Sequence, residues 1–342
     1  MLNNQDFTHN RSNFLGGSDI GAVIGVSKYR SALDVWLEKT GKMVDRANNL
    51  SLRFGSFAES FVADEYALAT GETLATHAQG LAHPDHPFCI GHIDRFVLHS
   101  KDQSLFDSHG MLNAKKLLEC KTASMYSQHD WGEPGSDAVP LPYLCQCLWY
   151  LGITGLSQID LAVLIGGSDL KIYCITRDRE LETLLFQKAD DFWTEHVMKD
   201  IPPKPQSLHD CQMLFHKGDP NKTKEADLQT LARIQTLKVL ESQVQKSEEA
   251  INEIKQELML EMGDAEVLAY QGKALITWKA PKASYRIDTK RLGQEHPELV
   301  SQYQMPVHNS RRFVVKEGAL DQLTVLNPPR TSTSSFNQEI AQ

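Results

Sequence analysis

Two short stretches decide how this chain is interpreted: GHIDRFVLH at residues 91–99 and KKLLECKTAS at residues 115–124. Each is a run of alternating or β-branched residues, which is typical of a β-strand. Side chains alternate between the two faces of a strand, so Glu119 and Lys121 point to one side while Cys120 points into the core. The sequence therefore predicts two charged side chains on one face of an otherwise apolar strand.

Pairing of these two strands would gather oxygen ligands for a hard metal ion. If they form a hairpin, Asp94 stands beside Glu119, and the backbone carbonyl of Cys120 adds a third oxygen. Mg²⁺ and Mn²⁺ both prefer such ligands. The charged form of Lys121 would be disfavoured beside these ions, which places its amine to orient or deprotonate an attacking water. These are the requirements of phosphodiester hydrolysis.

The same pattern also has an ordinary explanation, because half-exposed strands carry Asp, Glu and Lys routinely. Here, however, the charges interrupt the apolar runs LLECKTA and CIGHIDRF. A buried charge costs several kcal/mol unless it is compensated. This context favours a functional site over a solvated strand face.

Two further polar residues stand in apolar surroundings. Glu59 lies among aromatic residues in RFGSFAESF, where a helix could direct it at the strand face as a further ligand; the alternative is a solvated helix carboxylate. Gln146 interrupts the apolar helix YLCQCLWYL, and a buried amide needs hydrogen-bond partners. It would contact a phosphate or Lys121. The alternative is a core glutamine whose hydrogen bonds are all made within the protein.

The N-terminal part of the chain offers a candidate phosphate site. Arg11 precedes the stretch FLGGSDIGAVIG, in which Gly16 and Gly17 permit a close backbone approach. Ser18 is an N-cap candidate, and the start of the following helix would offer free N–H groups to a phosphate. A glycine pair before a capped helix is also common where no ligand binds.

Composition limits the possible classes of protein. The 342 residues suggest about two domains. The formal charge of −9 argues against non-specific coating of nucleic acid but permits a local basic groove. No apolar run is long enough to span a bilayer, and the first residues lack the pattern of a secretory signal. Six cysteines without a CxxC pair favour reduced thiols in the cytoplasm and argue against a zinc ribbon.

The first part of the chain predicts an α/β domain, with helices packed on a mixed central sheet. Helix SALDVWLEKTG should begin after Ser31 and end at Gly41, and the next helix should end at Gly71. The apolar residues of that next helix recur at helical spacing. They are Phe54, Phe57, Phe61, Val62 and Tyr66.

A proline-rich stretch, IPPKPQSLHD, marks the end of this domain, which we assign to residues 1–204. An accessory module should occupy residues 205–328. It begins with a leucine-rich seam that predicts a long helix or a helical hairpin of coiled-coil character, ended by Gly263. A β-hairpin turning at Gln271–Gly272 follows, and the polar tail at residues 329–342 is expected to be disordered.

Two other groups of residues suggest sites but have simpler explanations. His83, Asp85 and His86 in AHPDHP could hold a metal, although a proline-flanked polar turn accounts for them. Trp131 and Tyr126, in a polar loop, could stack on a splayed base at a DNA end, although ordinary loop packing accounts for them as well.

Across about the first two hundred residues, these motifs and their order resemble the YqaJ-like viral recombinases. That family is close to the bacteriophage lambda exonuclease and belongs to the PD-(D/E)xK nucleases. The matching stretches are GGSDIGAVIGVSKYRSALDVWLEKTG, FGSFAESFVADEY, the strand around Asp94, LLECKTAS, and VPLPYLCQCLWYLGITG followed by DLAVLIGG. The resemblance implies a restriction-endonuclease-like core, a mixed central sheet flanked by helices. The C-terminal module has no counterpart in the lambda enzyme.

The resemblance also implies roles for individual residues. The implied catalytic residues are Glu59, Asp94, Glu119, Lys121 and Gln146. The implied metal ligands are Glu59, Asp94, Glu119 and the carbonyl of Cys120, and the implied receptors of a DNA 5′-phosphate are Arg11, Ser18 and Gln146. His92 departs from the pattern, because the lambda enzyme has a small hydroxyl residue there. It could replace that hydrogen bond or be structural.

The implied activity is metal-dependent 5′→3′ exonuclease digestion of linear double-stranded DNA. It would release 5′-mononucleotides and leave a 3′ single strand, using two Mg²⁺ or Mn²⁺ ions per active site. Such an enzyme belongs to a phage or mobile element in a bacterial host and passes its product to a single-strand annealing protein. A ring-shaped homotrimer would hide a basic channel inside an acidic chain.

Two alternatives to this activity stay open. One is a structure- or site-selective DNA endonuclease of the same fold. The other is a DNA-binding or scaffold protein with an inert nuclease fold, which should lack part of the metal site. The presence of Glu59, Asp94, Glu119 and Lys121 disfavours the inert protein.

Overall fold

The structure, a computed structural model, divides into two compact units, Met1–Leu214 and Phe215–Gln342. The residues it describes are 11–42, 50–282, 284–304, 311–316 and 318. The tail at residues 329–342, which we expect to be disordered, lies outside these described residues.

The first unit alternates helices and strands as expected of an α/β domain. Its strands are β1 (Leu15–Gly16), β2 (Thr73–Ala75), β3 (Leu81–Ala82), β4 (Cys89–Gly91), β5 (Arg95–Leu98), β6 (Lys116–Ala123), β7 (Gln158–Ile165) and β8 (Asp169–Thr176). Its helices are α1 (Gly17–Val23), α2 (Ala32–Lys39), α3 (Leu50–Thr70), α4 (Leu141–Thr154), α5 (Arg179–Phe192) and α6 (Leu208–Leu214). Short 3₁₀ turns cover Arg11–Asn13 and Met125–Asp130.

The central sheet has five strands in the order β2-β5-β6-β7-β8. All neighbours are antiparallel except β6 and β7, which run parallel, with Glu119 opposite Leu161 and Lys121 opposite Val163. A parallel pair needs a crossover connection, and α4 supplies it. The mixed α/β fold with flanking helices, and the pairing of the two strands that carry the acidic motif, are therefore confirmed.

A second, small sheet holds the N-terminal glycine turn against this core. Its order is β1-β4-β3, with Leu15 paired parallel to Cys89. Helix α1 begins directly after β1, and α4 packs against α1 and β4. Trp149 of α4, fully buried, donates from Nε1 to the carbonyl of Ile90 at 3.0 Å. The segment of β1 and α1 is thereby fixed beside the strand that leads to Asp94.

Helix ends follow the predicted capping signals. The Ser31 hydroxyl accepts from the backbone N–H of Asp34 at 3.2 Å and caps α2. Gly41 and Gly71, at φ +68° and +71°, follow α2 and α3 in the left-handed region that glycine adopts without strain.

The buried face of α3 differs from the one that its aromatic residues suggest. Val62 and Tyr66 are buried, whereas Phe54, Phe57 and Phe61 are exposed, Phe57 to 79%. The exposed Phe61 and the buried Val62 are adjacent in sequence, which places them about 100° apart around the helix. Spacing identifies an apolar stripe but does not say which stripe the sheet covers, and here the sheet covers the smaller residues.

The second unit is built on one long helix. Helix α7 (Leu228–Met262) is capped by Asp227, whose Oδ1 accepts from the N–H of Thr230 at 2.7 Å, and it ends at Gly263. Its sequence contains no proline or glycine to interrupt it, so of the two alternatives the chain forms a single helix and not a helical hairpin.

The described part of the chain has no helix with the length and apolar content that a membrane crossing requires.

A β-hairpin of β9 (Val267–Tyr270) and β10 (Lys273–Thr277) follows, and it turns at Gln271 and Gly272 as predicted. Both turn residues have positive φ, 48° and 79°, which a two-residue hairpin turn of this kind requires. Two short helices complete the described part of this unit, α8 (Thr289–Glu295) and α9 (Pro297–Gln302).

The two compact units divide after α6, between Leu214 and Phe215. Asp210 of α6 is buried and accepts from the backbone N–H of Gln206 at 2.8 Å. This hydrogen bond ties α6 to the proline-rich segment that precedes it.

Candidate active site

The paired strands bring two carboxylates together. Asp94 lies directly before β5, and its Oδ2 accepts from the backbone N–H of Cys120 at 2.8 Å. Glu119, in the middle of β6, is only 1% exposed, and the Asp94 carboxylate is close enough to raise its pKa. The hairpin geometry thus places both acids at one point of the sheet, as the sequence predicts.

Glu119 has one satisfied and one unsatisfied oxygen. Its Oε1 accepts from the ammonium of Lys121 and from Nε2 of Gln146, the latter at 2.7 Å. Its Oε2 is buried and has no hydrogen-bond partner within the described part of the chain. Burial first, and then the negative charge of Asp94, raises the pKa of Glu119 to about 8. A buried acceptor without a donor is costly, which indicates a missing partner.

Lys121 supplies the positive charge of this cluster. Burial alone would lower the pKa of Lys121, but Glu119 and Asp94 outweigh it and raise that pKa above its ordinary value. The Lys121 ammonium also lies 5.6 Å from the ring centre of Tyr143. The expected weakening of its charge therefore depends on bound cations, because the carboxylates by themselves favour the charged form.

Glu59 is near this cluster but turned to another partner. Its Oε1 accepts from Nη1 of Arg95 at 2.8 Å, and the same Nη1 donates to the Asp94 carbonyl at 2.6 Å. The Glu59 charge is close enough to raise the pKa of Asp94, after the larger effect of burial. Arg95, which the sequence analysis did not single out, thus stands between the two acids.

The arrangement fits a divalent cation held by two side chains and one backbone group. Asp94, Glu119 and the Cys120 carbonyl are the hard oxygens available, and the unpartnered Oε2 of Glu119 is the observation that favours a cation there. Among the described residues, no three His, Cys, Asp or Glu side chains converge on one point, so a purely side-chain cage is not formed. Whether Glu59 joins as a ligand stays a prediction.

A cavity of about 280 Å³ is lined in part by Gln146, whose amide donates to Glu119. It brings together the three residues expected to receive a phosphate, Arg11, Ser18 and Gln146. The remaining wall residues are Phe14, Gly16, Gly17, His92 and Tyr150. Gln146 belongs to both places, because the amide that donates to Glu119 also donates to the Tyr150 hydroxyl at 2.9 Å.

The N-terminal residues of this cavity are held differently from the predicted capping pattern. Gly16, and not Ser18, is the N-cap of α1. Asp19 performs the capping instead, since its Oδ2 accepts from the Gly16 N–H at 3.0 Å. The Ser18 hydroxyl therefore accepts from Nη2 of Arg11 at 3.1 Å, and the Arg11 side chain stays 56% exposed.

His92 lies in the cavity wall, with its ring 5.5 Å from that of Phe14. Burial, and next the charge of Arg11, lowers the pKa of His92. The ring is therefore neutral at pH 7 and able to donate or accept one hydrogen bond. Its position fits the first of the two roles that we considered for it.

Sequence reasoning missed the charged residues underneath this cavity. Asp19 and Lys39 are fully buried side chains that pair at 2.8 Å, and Arg30 pairs with Asp19 at 2.7 Å. Burial alone would raise the pKa of Asp19, but Lys39, Arg30 and Arg11 hold it at about 2. An acid inside the apolar stretch FLGGSDIGAVIG was the signal that could have found this network.

The AHPDHP segment and Trp131 take their ordinary explanations, but loop packing does not account for Tyr126. His83 Nδ1 accepts from the backbone N–H groups of Asp85 and His86, at 3.1 and 3.2 Å, so this segment is a hydrogen-bonded turn. Trp131 is buried and its ring lies 5.6 Å from Tyr143, whereas Tyr126 is 93% exposed. Trp131 is thus part of the core and not free to stack on a base.

Comparisons with known proteins agree with the motifs. Residues 6–157 match the model of the YqaJ-like viral recombinase domain. The uncharacterized protein YqaJ of Bacillus subtilis (strain 168) is 29% identical over 310 residues, which are 89% of this chain and 91% of that protein.

Solved structures with partial similarity include the alkaline exonuclease LHK-Exo of Laribacter hongkongensis, with a TM-score of 0.44 and 15% identity over 58% of this chain and 94% of that one. A phage-related exonuclease of Haemophilus somnus 129PT gives a TM-score of 0.40 and 11% identity over 55% and 96%. The match at residues 6–157 covers both the cavity and the paired carboxylates, and over these residues the chain is similar to the YqaJ-like viral recombinase domain.

Proposed function

We propose that this protein is a divalent-metal-dependent exonuclease that degrades linear double-stranded DNA in the 5′→3′ direction. It would release 5′-phosphomononucleotides and leave 3′ single-stranded overhangs for recombination by strand annealing. The family assignment supports a role in recombination, because the matched model is that of a viral recombinase domain.

One observation carries the proposal: Gln146 joins the cavity to the acidic cluster. Its side chain lines the cavity with Arg11 and Ser18, and the same amide donates to Glu119. Only the side chain of Gln146 would then separate a terminal 5′-phosphate bound by Arg11 and Ser18 from the Glu119 carboxylate. This proximity favours an enzyme that acts at a DNA end over one that cuts inside a duplex.

The acidic cluster has the groups that phosphodiester hydrolysis needs. Bound Mg²⁺ or Mn²⁺, two ions by family resemblance, would lower the pKa of a water and neutralise charge on the phosphoryl group. Asp94, Glu119 and the Cys120 carbonyl would hold the ions, with Glu59 in support. Lys121 would orient the attacking water. Gln146 would hold the Glu119 carboxylate in position through its hydrogen bond.

The cavity has the groups that a phosphate needs. Arg11 lines the cavity with a side chain that is 56% exposed, and its Nη2 donates to Ser18. Arginine binds phosphate oxygens through two parallel hydrogen bonds, which gives both strength and orientation. His92 would add a hydrogen bond where related enzymes use a hydroxyl.

The second unit would provide contacts with other chains. The apolar residues of α7 include Val244, Ile251 and Ile254, all exposed. We propose that this seam serves a homo-oligomer, a trimer by family resemblance, or an annealing protein. We retain residues 1–204 as the nuclease domain and residues 205–328 as the accessory module. Removal of the chain after residue 214, where the first compact unit ends, followed by measurement of solution mass, tests the role of the module.

A time course on end-labelled linear duplex, with and without Mg²⁺, tests the activity. We expect labelled mononucleotides to appear from the 5′ end only when the cation is present. A covalently closed circular DNA of the same sequence should stay intact. Nicking of the circle would favour the alternative, a structure- or site-selective endonuclease.

Variants of the acidic cluster test the assignment of the site. Glu119→Ala and Lys121→Ala should each lose activity by about 10²–10⁴-fold, the range for removal of a group that assists proton transfer. Lys115→Ala is the matched control, since Lys115 is a lysine of the same strand region that pairs with Glu72 on the surface. Full activity in either site variant would remove the basis of the proposal.

A further inference from the structure

A buried ion pair lies directly beneath the cavity that contains Arg11. Lys39, the last residue of α2, and Asp19, in the first turn of α1, have side chains with no exposed area, and they pair at 2.8 Å. A buried ion pair is weak evidence for stability, because desolvation cancels most of its attraction. Its contacts with the cavity suggest a different reason for its presence.

Each member of the pair also holds one wall of the cavity by the backbone. Lys39 donates from Nζ to the carbonyl of Arg11 at 2.8 Å. Asp19 accepts on Oδ2 from the N–H of Gly16 at 3.0 Å. The two segments that carry Arg11 and the Gly16–Gly17 turn are therefore fixed to each other through one Lys–Asp pair.

The surrounding charges hold the Arg11 side chain in place. Its Nε lies 3.5 Å from Glu38 Oε1 and its Nη2 lies 3.7 Å from Asp19 Oδ1. Arg30 joins the same two acids, at 2.7 Å to each. Three cations against two carboxylates leave one net positive charge beside the cavity, which suits an anionic ligand.

We propose that Lys39 and Asp19 are positioning residues that set Arg11 for recognition of the DNA 5′-phosphate. The inference rests on the proposed function, because it takes the cavity as the site for a 5′-terminal phosphate. Neither residue touches the phosphate; both act through Arg11 and the Gly16 backbone. The Arg11 side chain is 56% exposed, and a fixed backbone reduces the conformational freedom that it loses on binding.

The test is end selectivity in binding, measured without divalent cation so that it is independent of the metal site. A DNA hairpin with one blunt end and a fluorophore in its loop is prepared with a 5′-phosphate or a 5′-hydroxyl. Fluorescence anisotropy in EDTA gives the two dissociation constants and their ratio. We expect the unmodified protein to prefer the phosphate by about tenfold, the effect of one charge-assisted contact.

Lys39→Met keeps the length of the side chain but removes its charge and its donor. We expect the ratio to fall close to one, as in Arg11→Ala, while affinity for the 5′-hydroxyl hairpin is retained. Lys116→Met is the matched control, since Lys116 pairs with the buried Asp160 at 2.5 Å elsewhere in the same unit. It should lose comparable stability and keep the tenfold ratio.

Removal of one charge from a buried pair can unfold a protein, so a second variant is needed. Asp19→Asn combined with Lys39→Met removes both charges of the pair and should show the same loss of selectivity. An unchanged ratio in a folded Lys39 variant would overturn the positioning role and leave the proposed function intact. An unmodified protein with a ratio of one, or an Arg11→Ala protein that keeps its preference, would instead refute the phosphate site itself.

Discussion

The side-chain amide of Gln146 donates to Glu119 Oε1 at 2.7 Å and so joins the cavity to the acidic cluster. Both side chains are buried, and the same amide donates to the hydroxyl of Tyr150, at 2.9 Å. The amide group therefore has a fixed position between a proposed metal ligand and a proposed phosphate site. Helix α4 supplies this link from the middle of an apolar sequence, which explains a polar residue at a core position.

Replacement of Gln146 should affect both places at once. Gln146→Met keeps the volume but removes the donors, which leaves Glu119 with one fewer hydrogen bond. We expect kcat on linear duplex to fall by about 10²-fold, as for loss of one fixed donor in an active site. The preference for 5′-phosphate should fall as well. Steady-state kinetics on the two kinds of end measure both effects, and a fall confined to one would break the proposed link.

The titration of Glu119 should control metal affinity. Burial, followed by the charge of Asp94, raises the pKa of Glu119 to about 8, so a cation must displace a proton at pH 7. We expect affinity for Mn²⁺ to rise by about tenfold per pH unit from pH 6 to pH 8 and then to level off. Calorimetry in buffers of different ionisation enthalpy should detect about one proton released per binding event.

The same shift makes a prediction for the metal-free protein. An acid whose folded pKa is raised contributes stability that is complete below its unfolded pKa, here 4.5, and is lost as the pH rises through 8. Glu119→Gln resembles the protonated state, so at pH 9 without metal it should be more stable than the unmodified protein while it lacks nuclease activity. Thermal unfolding at pH 6 and pH 9 measures this, and a variant that is less stable at pH 9 would contradict the assigned environment.

Local patterns in the sequence were sufficient to predict the paired strands and the helix ends. The alternation around Asp94 and Glu119 identified their strands, and the positions of Gly41 and Gly71 marked where helices end. These features depend on residues close in sequence, whose preferences are set by backbone geometry. The acidic cluster followed from them, because strand pairing alone brings its two carboxylates together.

Contacts between distant segments could not be predicted in the same way. Asp19 and Lys39 meet because α1 and α2 pack together, and the sequence does not encode that packing in any short pattern. Glu59 was expected near the metal ligands, but the strand that carries Asp94 also supplies Arg95, which engages it. In each case the choice among several charged neighbours is made by tertiary structure.

Two glycines should respond in opposite directions to the same substitution. A Cβ added at Gly17 would lie 2.7 Å from Cε1 of Tyr150, a buried ring that cannot move aside, so Gly17→Ala should cost about 1–3 kcal/mol. At Gly55, inside α3, the nearest atom is 4.0 Å away, and Gly55→Ala should gain about 0.5–1 kcal/mol from helix propensity. Urea unfolding of both variants measures the two changes. Equal effects would show that the cavity wall is not tightly packed at Gly17.

Asp19 should make the first unit sensitive to acid. Its folded pKa of about 2 lies below the ordinary value of 3.8, because Lys39, Arg30 and Arg11 outweigh the opposing effect of burial. A lowered acid pKa contributes stability that is present above the ordinary value and is lost as the pH falls through the folded one. The contribution is about 2 kcal/mol for this shift.

Asp19→Asn removes this titration and keeps the size of the side chain. The variant should be less stable than the unmodified protein at pH 7, and the difference in unfolding free energy should shrink by about 2 kcal/mol between pH 5 and pH 2. Urea unfolding at intervals across that range gives both curves. A difference that stays constant with pH would mean that the three cations do not hold Asp19 in its charged form, and that the segments carrying Arg11 and Gly16 are joined by something other than this ion pair.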